Sequence, residues 1–254
     1  MRDFTLNSFQ LLLKSFLNKG YEFHDLVNFT ENSSGKKIFL RHDIDRYTNR
    51  IEKFAVLEKN LGIRSTFYFR TPHKPVHVKM IETVVKNHHD IGYHYNDLAE
   101  HKGNVRSAMQ SFSDTLSVLR TMAEVKSICM HGNVRSSINN LDLIKEIDLT
   151  ENGLTGDPYI MIDHHNVLYL TDTCRCWNCD KFSKWDRVQS GFNYHPLSTT
   201  AIIADMADSC LPDKLHLCIH PQHYHDSIVK WAAYYLERSV RNRIKTIFIM
   251  QEHA

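Results

Sequence analysis

Apolar positions along this chain follow two periods. Phe9, Leu12, Leu13, Phe16 and Leu17 recur at helical spacing among polar residues, which predicts an amphipathic helix within 1–19. Ile38-Phe39-Leu40 predicts a strand at about 37–43. Ile51, Phe54, Ala55, Leu57 and Leu61 predict a helix at about 48–60, stopped by Gly62. Arg64 to Arg70 reads as a β-branched and aromatic strand, and Pro72 and Pro75 open a helix at about 76–88. A short strand Asp90 to His94, a helix at about 103–122 and a strand Lys126 to Met130 follow. A helix from Asn140 to Glu146 precedes a less regular stretch at about 150–195, with strand-like Val167 to Leu170. The chain then predicts a helix at about 198–209, a strand Lys214 to Ile219, a helix at about 225–241 and a last strand Thr246 to Met250.

Repeated β-α-β units with short apolar strands imply a parallel sheet covered by helices, an α/β architecture. No Pro/Gly/Ser-rich linker, charge block or internal repeat divides the chain, so 1–254 reads as a single domain.

The strand Ile38 to Arg46 ends in His42, Asp43 and Asp45. Side chains alternate along a strand, so Asp43 and Asp45 share a face if the strand persists. Two like charges so close repel, and a metal ion, a shared proton or a nearby cation relieves the cost. A plainer reading makes Asp45 a helix cap and pairs Asp43 with Arg41 or Arg46. His94, His131 and His220 also stand where predicted strands end. In a β/α barrel those tips share one face, which carries the active site.

Composition narrows the setting. A net charge of +2 gives little reason to expect nucleic acid or an anionic membrane as partner, and the basic run Arg238 to Lys245 reads as a solvated helix face. No run of 18 apolar residues predicts a membrane span, and the N-terminus lacks the form of a signal peptide. A cytoplasmic address follows as an expectation, with the six cysteines as reduced thiols. Cys174-x-Cys176-x-x-Cys179 lacks the paired spacing of a structural zinc site. Seventeen histidines raise the expectation of a metal site elsewhere. Gly-rich phosphate loops and Ser/Cys nucleophile elbows are absent, which disfavours nucleotide hydrolysis and covalent acyl transfer. Oligomeric state is not legible.

The segments R-H-D-I-D (41–45), S-T-F-Y-F (65–69), H-D-I-G-Y-H-Y (89–95), M-H-G-N (130–133), Y-L-T-D-T-C-R-C-W (169–177) and I-H-P-Q-H-Y (219–224) resemble, in order, the polysaccharide deacetylase superfamily of carbohydrate esterases. They look most like a cytosolic branch whose first motif reads H-D-x-D. The resemblance implies a single distorted (β/α) barrel of seven or eight mostly parallel strands with an N-terminal helix. It also implies a divalent metal, zinc first, with cobalt, nickel, manganese or iron open.

Carried over residue by residue, the resemblance implies Asp43 as general base and Asp45 as metal ligand, the intervening Ile44 leaving the reverse order open. It implies His94 as a second ligand and His220 as the acid that protonates the leaving group. The family's other metal histidine falls four residues after His94, where this chain has Leu98, which cannot ligate. Asn96, Asp97, His101 or His131 remain to complete the set, and His131 is the choice made. Arg175 is the candidate for orienting Asp43 or gripping substrate. Asp157, Trp177 and His42 are candidates for the substrate wall, and Trp185 could stack on a sugar. The expected activity is removal of an N-acetyl group from an amino sugar in surface polysaccharide or lipopolysaccharide O-antigen synthesis. The alternatives are hydrolysis of a non-sugar amide on the same fold, or a catalytically inactive carbohydrate-binding homologue.

Overall fold

Sequence signals at the helix ends set the frame. In α1 (Leu6–Asn18), the Ser8 N–H donates to Thr5 Oγ1 at 3.1 Å and the Thr5 N–H donates to Ser8 Oγ at 3.0 Å, closing a capping box. Phe9, Leu12, Leu13 and Phe16 form its buried stripe. The structure, a computed structural model, describes residues 2–29, 34–133, 136–177 and 183–252.

The strands are β1 (Tyr21–His24), β2 (Lys36–Ile44), β3 (Thr66–Phe69), β4 (Asp90–Tyr95), β5 (Val125–Met130), β6 (Leu168–Thr171) and β7 (Lys214–Ile219). All pair in parallel, in the order β5-β4-β3-β2-β7-β6. β1 pairs with the first half of β2, residues 36–39, and β3 with the last part, residues 41–44. The connecting helices are α2 (Arg50–Asn60), α3 (Pro75–Lys86), α4 (Asp97–Glu100), α5 (Val105–Arg120), α6 (Pro158–Met161), α7 (Thr199–Ala207) and α8 (Ile228–Glu252). Short 3-10 turns lie at Asn140–Glu146, Thr173–Arg175 and Pro221–His223. This is the expected α/β architecture, with seven strands.

Alternation along β2 sorts its side chains onto two surfaces. Ile38, Leu40 and Ile44 join the large apolar cluster that includes the buried faces of α1, α2 and α5. Phe39, on the other surface, meets Tyr68, Cys129, Ile162 and Val167. Arg41 and Asp43 share that inner surface. Arg41 shows that the sheet curls: it donates to Cys129 Sγ on β5 at 2.9 Å and to Tyr169 Oη on β6 at 3.2 Å. β5 and β6 are the two ends of the ladder, so one side chain on β2 reaches both. Gly92 lets the curl tighten, because a Cβ there would lie 2.3 Å from the Tyr68 ring.

Two strands differ from the sequence expectation. The predicted strand Thr246 to Met250 is the continuation of α8, which runs 25 residues. Neither glycine nor proline interrupts 228–252, and a five-residue apolar run does not separate strand from helix. The strand β1, too short and polar to signal itself, was not expected.

Candidate active site

Because every strand runs the same way, the C-terminal tips meet at one rim. Asp45 follows β2, His94 is the next-to-last residue of β4, His131 follows β5, Asp172 follows β6 and His220 follows β7. At this rim lies a cleft of about 610 Å³ that Asp43, Asp45, His94, His131 and His220 help to line.

Asp45 Oδ1 lies 3.4 Å from Nε2 of His94 and 3.4 Å from Nε2 of His131. The hydrogen bonds behind the rings define their tautomers. Nδ1 of His94 is 3.0 Å from the Cys129 carbonyl oxygen, which can only accept, so Nδ1 carries the proton. For His131 the argument runs through two amides. Ala99 N–H donates to Asn140 Oδ1 at 2.9 Å, so the other end of that amide is its NH2. That NH2 donates to the His131 carbonyl and to Asn96 Oδ1, both at 2.8 Å. Asn96 Oδ1 therefore accepts, and Nδ1 of His131, 3.2 Å away, donates to it. In the neutral tautomers both Nε2 atoms turn lone pairs toward one carboxylate oxygen.

Three acceptors facing one point repel unless a cation sits among them. Asp45 Oδ1 and His94 Nε2 are buried and without hydrogen-bond partners among the described residues. Burial pushes the His131 imidazolium down to about 4 against the pull of Asp45, so the ring stays neutral near pH 7. One carboxylate and two imidazoles, each with Nδ1 engaged, suit a divalent ion. Gln222 Nε2 donates to Asp45 Oδ2 at 3.0 Å and fixes the carboxylate from behind.

Asp43 lies deeper. One of its carboxylate oxygens is within 4.8 Å of a ring nitrogen of His94, and likewise of His220. Arg41 Nε is 3.3 Å from Asp43 Oδ1, and both side chains are shut off from solvent. His220 Nδ1 is 2.7 Å from Asp172 Oδ1. Burial disfavours the His220 cation, but the hydrogen bond and charge of Asp172 more than offset this and raise its pKa to about 9.

The other expected site residues fall elsewhere. Arg175 does not reach Asp43. Its guanidinium packs 4.7 Å from the Trp231 ring centre, beside Phe4 and Tyr234, and donates to the carbonyls of His223 and Trp231 at 3.4 Å. Arg41 stands where Arg175 was expected. His42 points to the opposite face of β2, as alternation requires, and its Nε2 lies 2.7 Å from Glu58 Oε1 in the core. Asp157 is fully buried, accepting from the Met130 and Tyr159 N–H groups at 2.8 and 2.9 Å. Burial pushes its carboxyl up to about 6. Trp177 is buried against Phe4 and donates from Nε1 to Thr199 Oγ1 at 3.0 Å. Trp185 donates to the Asn133 and Ser136 carbonyls rather than lining the cleft. Leu98 belongs to the apolar core. Cys179 lies outside the described residues.

Arg41 pairs with Asp43 as the plainer sequence reading had it. Two contributors were not expected from the sequence. Asp172 stood inside a quoted motif without a role. Asp186 gave no signal, because a loop carries it inward to accept from the Tyr159, Tyr169 and Thr173 hydroxyls.

No family model matches the chain, and a search of curated proteins finds no match. Among solved structures, the catalytic domain of a peptidoglycan N-acetylglucosamine deacetylase from Eubacterium rectale is 14% identical, with a TM-score of 0.44, covering 84% of this chain and 89% of that one. A family 4 carbohydrate esterase from Bacillus anthracis is 14% identical, with a TM-score of 0.40, over 95% and 86% of the two chains. A family 4 pseudoenzyme from Bacillus anthracis is 9% identical, with a TM-score of 0.45, over 87% and 67%. At these identities and scores the functional reading rests on the site's own geometry.

Proposed function

We propose that this protein is a metal-dependent amide hydrolase that removes an N-acetyl group from an amino sugar. The observation that carries the reading is the convergence of Asp45 Oδ1 with the Nε2 atoms of His94 and His131, each ring held by a hydrogen bond at Nδ1. These three side chains would hold the ion, and zinc suits them, with cobalt, nickel, manganese and iron open. When bound, such an ion lowers the pKa of water and polarises an acyl carbonyl.

The remaining residues divide the proton work. Asp43 takes the proton from the attacking water, and the Arg41 guanidinium at 3.3 Å holds that carboxylate in place. His220, positively charged below about pH 9, delivers a proton to the departing amine. Asp172 fixes the His220 proton at Nδ1 and turns Nε2 toward the reacting centre. A carboxylate oxygen of Asp43 and a ring nitrogen of His220 lie within 4.8 Å of each other, so base and acid can flank one scissile bond.

An amino sugar of surface polysaccharide or lipopolysaccharide is the substrate implied by the resemblance of the motif order, and a cytoplasmic setting belongs to the same reading. Leu98 had been the reason to consider an inactive binding protein. His131 supplies a third donor in its stead. The test is acetate release from a panel of N-acetylated sugars, with a linear and a cyclic amide beside them. Acetate from the sugars, with kcat lowered about 10²-fold or more in Asp43→Asn, supports the reading. Ring opening without acetate would move the protein to the non-sugar amides. A metal-loaded protein that hydrolyses neither is not a hydrolase of this kind.

A further inference from the structure

The cleft beside the Asp45, His94 and His131 cluster is lined by six lysines and arginines: Arg46, Arg70, Lys184, Arg238, Arg241 and Lys245. Three come from one helix, α8, which sequence patterning alone would leave facing solvent. Several are neutralised or tied. Arg70 pairs with Glu100, Arg241 Nε lies 2.9 Å from Glu237 Oε1, and Lys245 Nζ donates to Cys174 Sγ at 3.1 Å. Arg46 and Arg238 differ. Neither has a hydrogen-bond or ion-pair partner among the described residues, and Arg238 Nε is buried. A buried guanidinium N–H without an acceptor is costly, and an anion is what relieves it.

The two guanidiniums belong to one place. Both act electrostatically on the Tyr234 hydroxyl, as does Asp45. Tyr234 Oη is 3.0 Å from His223 Nδ1, and the His223 ring stacks 5.3 Å from His220, the proposed acid. The unpaired positive charge therefore adjoins the side of the cleft where the amine departs.

We infer that Arg46 and Arg238 form an anion subsite, so that the sugar processed here carries a phosphoryl or carboxylate group near the amide that is cleaved. The inference deepens the hydrolase reading and rests on it for the sugar, while the charge recognition stands on its own residues. Guanidinium groups suit both oxyanions because their N–H pairs match two acceptor oxygens at once. The group binds beside the metal ligands rather than replacing them, so recognition persists without the ion.

The experiment is calorimetric titration of chelator-treated full-length protein, in which no metal can capture the anion. N-acetylglucosamine, its 1-phosphate, its 6-phosphate, N-acetylmuramic acid and inorganic phosphate are the probes. At least one phosphorylated or carboxylated sugar should bind about tenfold or more tightly than the neutral sugar, and lose that advantage as salt rises. The advantage should vanish in the double variant Arg46→Gln/Arg238→Gln and persist in Arg241→Gln, whose side chain is paired with Glu237. The phosphate and carboxylate arms decide which anion is native. Equal binding of neutral and charged sugars, binding of none, or an advantage that survives the double variant overturns the subsite. Circular dichroism and zinc uptake by the double variant, both expected unchanged, exclude misfolding. Charge-dependent binding without acetate release would keep the subsite and sink the hydrolase reading; the reverse result would do the opposite.

Discussion

Asp172 Oδ1 accepts from both the Nδ1 and the backbone N–H of His220, at 2.7 and 2.9 Å. One carboxylate oxygen therefore fixes the histidine's ring, its tautomer and the turn that carries it. The same contact raises the His220 pKa to about 9 against the effect of burial.

The first prediction concerns pH. With His220 as the proposed acid, activity requires its protonated form and falls as pH rises through about 9. Asp172→Asn removes the charge that holds the pKa up while keeping the shape. The alkaline limb of kcat/KM should move to lower pH by about one unit or more, since one unit corresponds to ~1.4 kcal/mol of lost interaction. A limb that stays in place would show that another group titrates there.

A second prediction concerns Arg41. It is wholly buried, paired with Asp43 and in hydrogen-bond contact with Cys129, Tyr159 and Tyr169. Removing one member of a buried ion pair leaves the other uncompensated, which costs about 3–5 kcal/mol. Arg41→Met should lower stability by that order in urea titration. Arg41→Met/Asp43→Asn should recover part of the loss. If the double variant is no more stable than the single one, the two charges are not coupled.

The two aspartates were legible in the sequence because an apolar strand delivered them to its tip, and so were His94, His131 and His220. Alternation on that strand places Arg41 beside Asp43 and His42 on the other face, although His42 was expected at the site. Arg175 and Trp177 misled because composition cannot tell a cleft-lining guanidinium or indole from one packed in an aromatic cage. Asp172 and Asp186 depend on loops whose path follows from tertiary packing. The helix α8 was cut short in the sequence reading, and its basic run Arg238 to Lys245 was read as a solvated face, although Arg238, Arg241 and Lys245 line the cleft.

Third, the buried pair His42–Glu58 behind β2 should make stability depend on acid. Burial raises the Glu58 pKa, but the charge and hydrogen bond of His42 outweigh it and hold the carboxyl below its ordinary 4.5. A lowered folded-state pKa contributes stability that is present above about 4.5 and lost as pH falls through the folded value. Glu58→Gln should lower the urea midpoint near pH 7 and flatten its fall in acid. An unchanged acid profile would show that Glu58 carries no such linkage.

Fourth, Leu98 packs in the core at 6% exposure, so restoring the family-like histidine there should not rebuild a metal site. Leu98→His should lower the melting temperature by burying a polar ring, costing about 1–3 kcal/mol, and should not rescue zinc affinity in a His131→Ala background. Rescue would mean that position 98 can turn to face Asp45.

The central claim is that Asp45, His94 and His131 share one divalent ion. Zinc titration of the wild-type protein and of Asp45→Ala, His94→Ala and His131→Ala, followed by calorimetry, tests it most directly. One ion per chain is expected in the wild type, with each variant weakened about 10²-fold or more, because each removes one of three protein ligands. A wild type that takes up no zinc, cobalt, nickel, manganese or iron, or a His131→Ala variant that binds as tightly as the wild type, would contradict it.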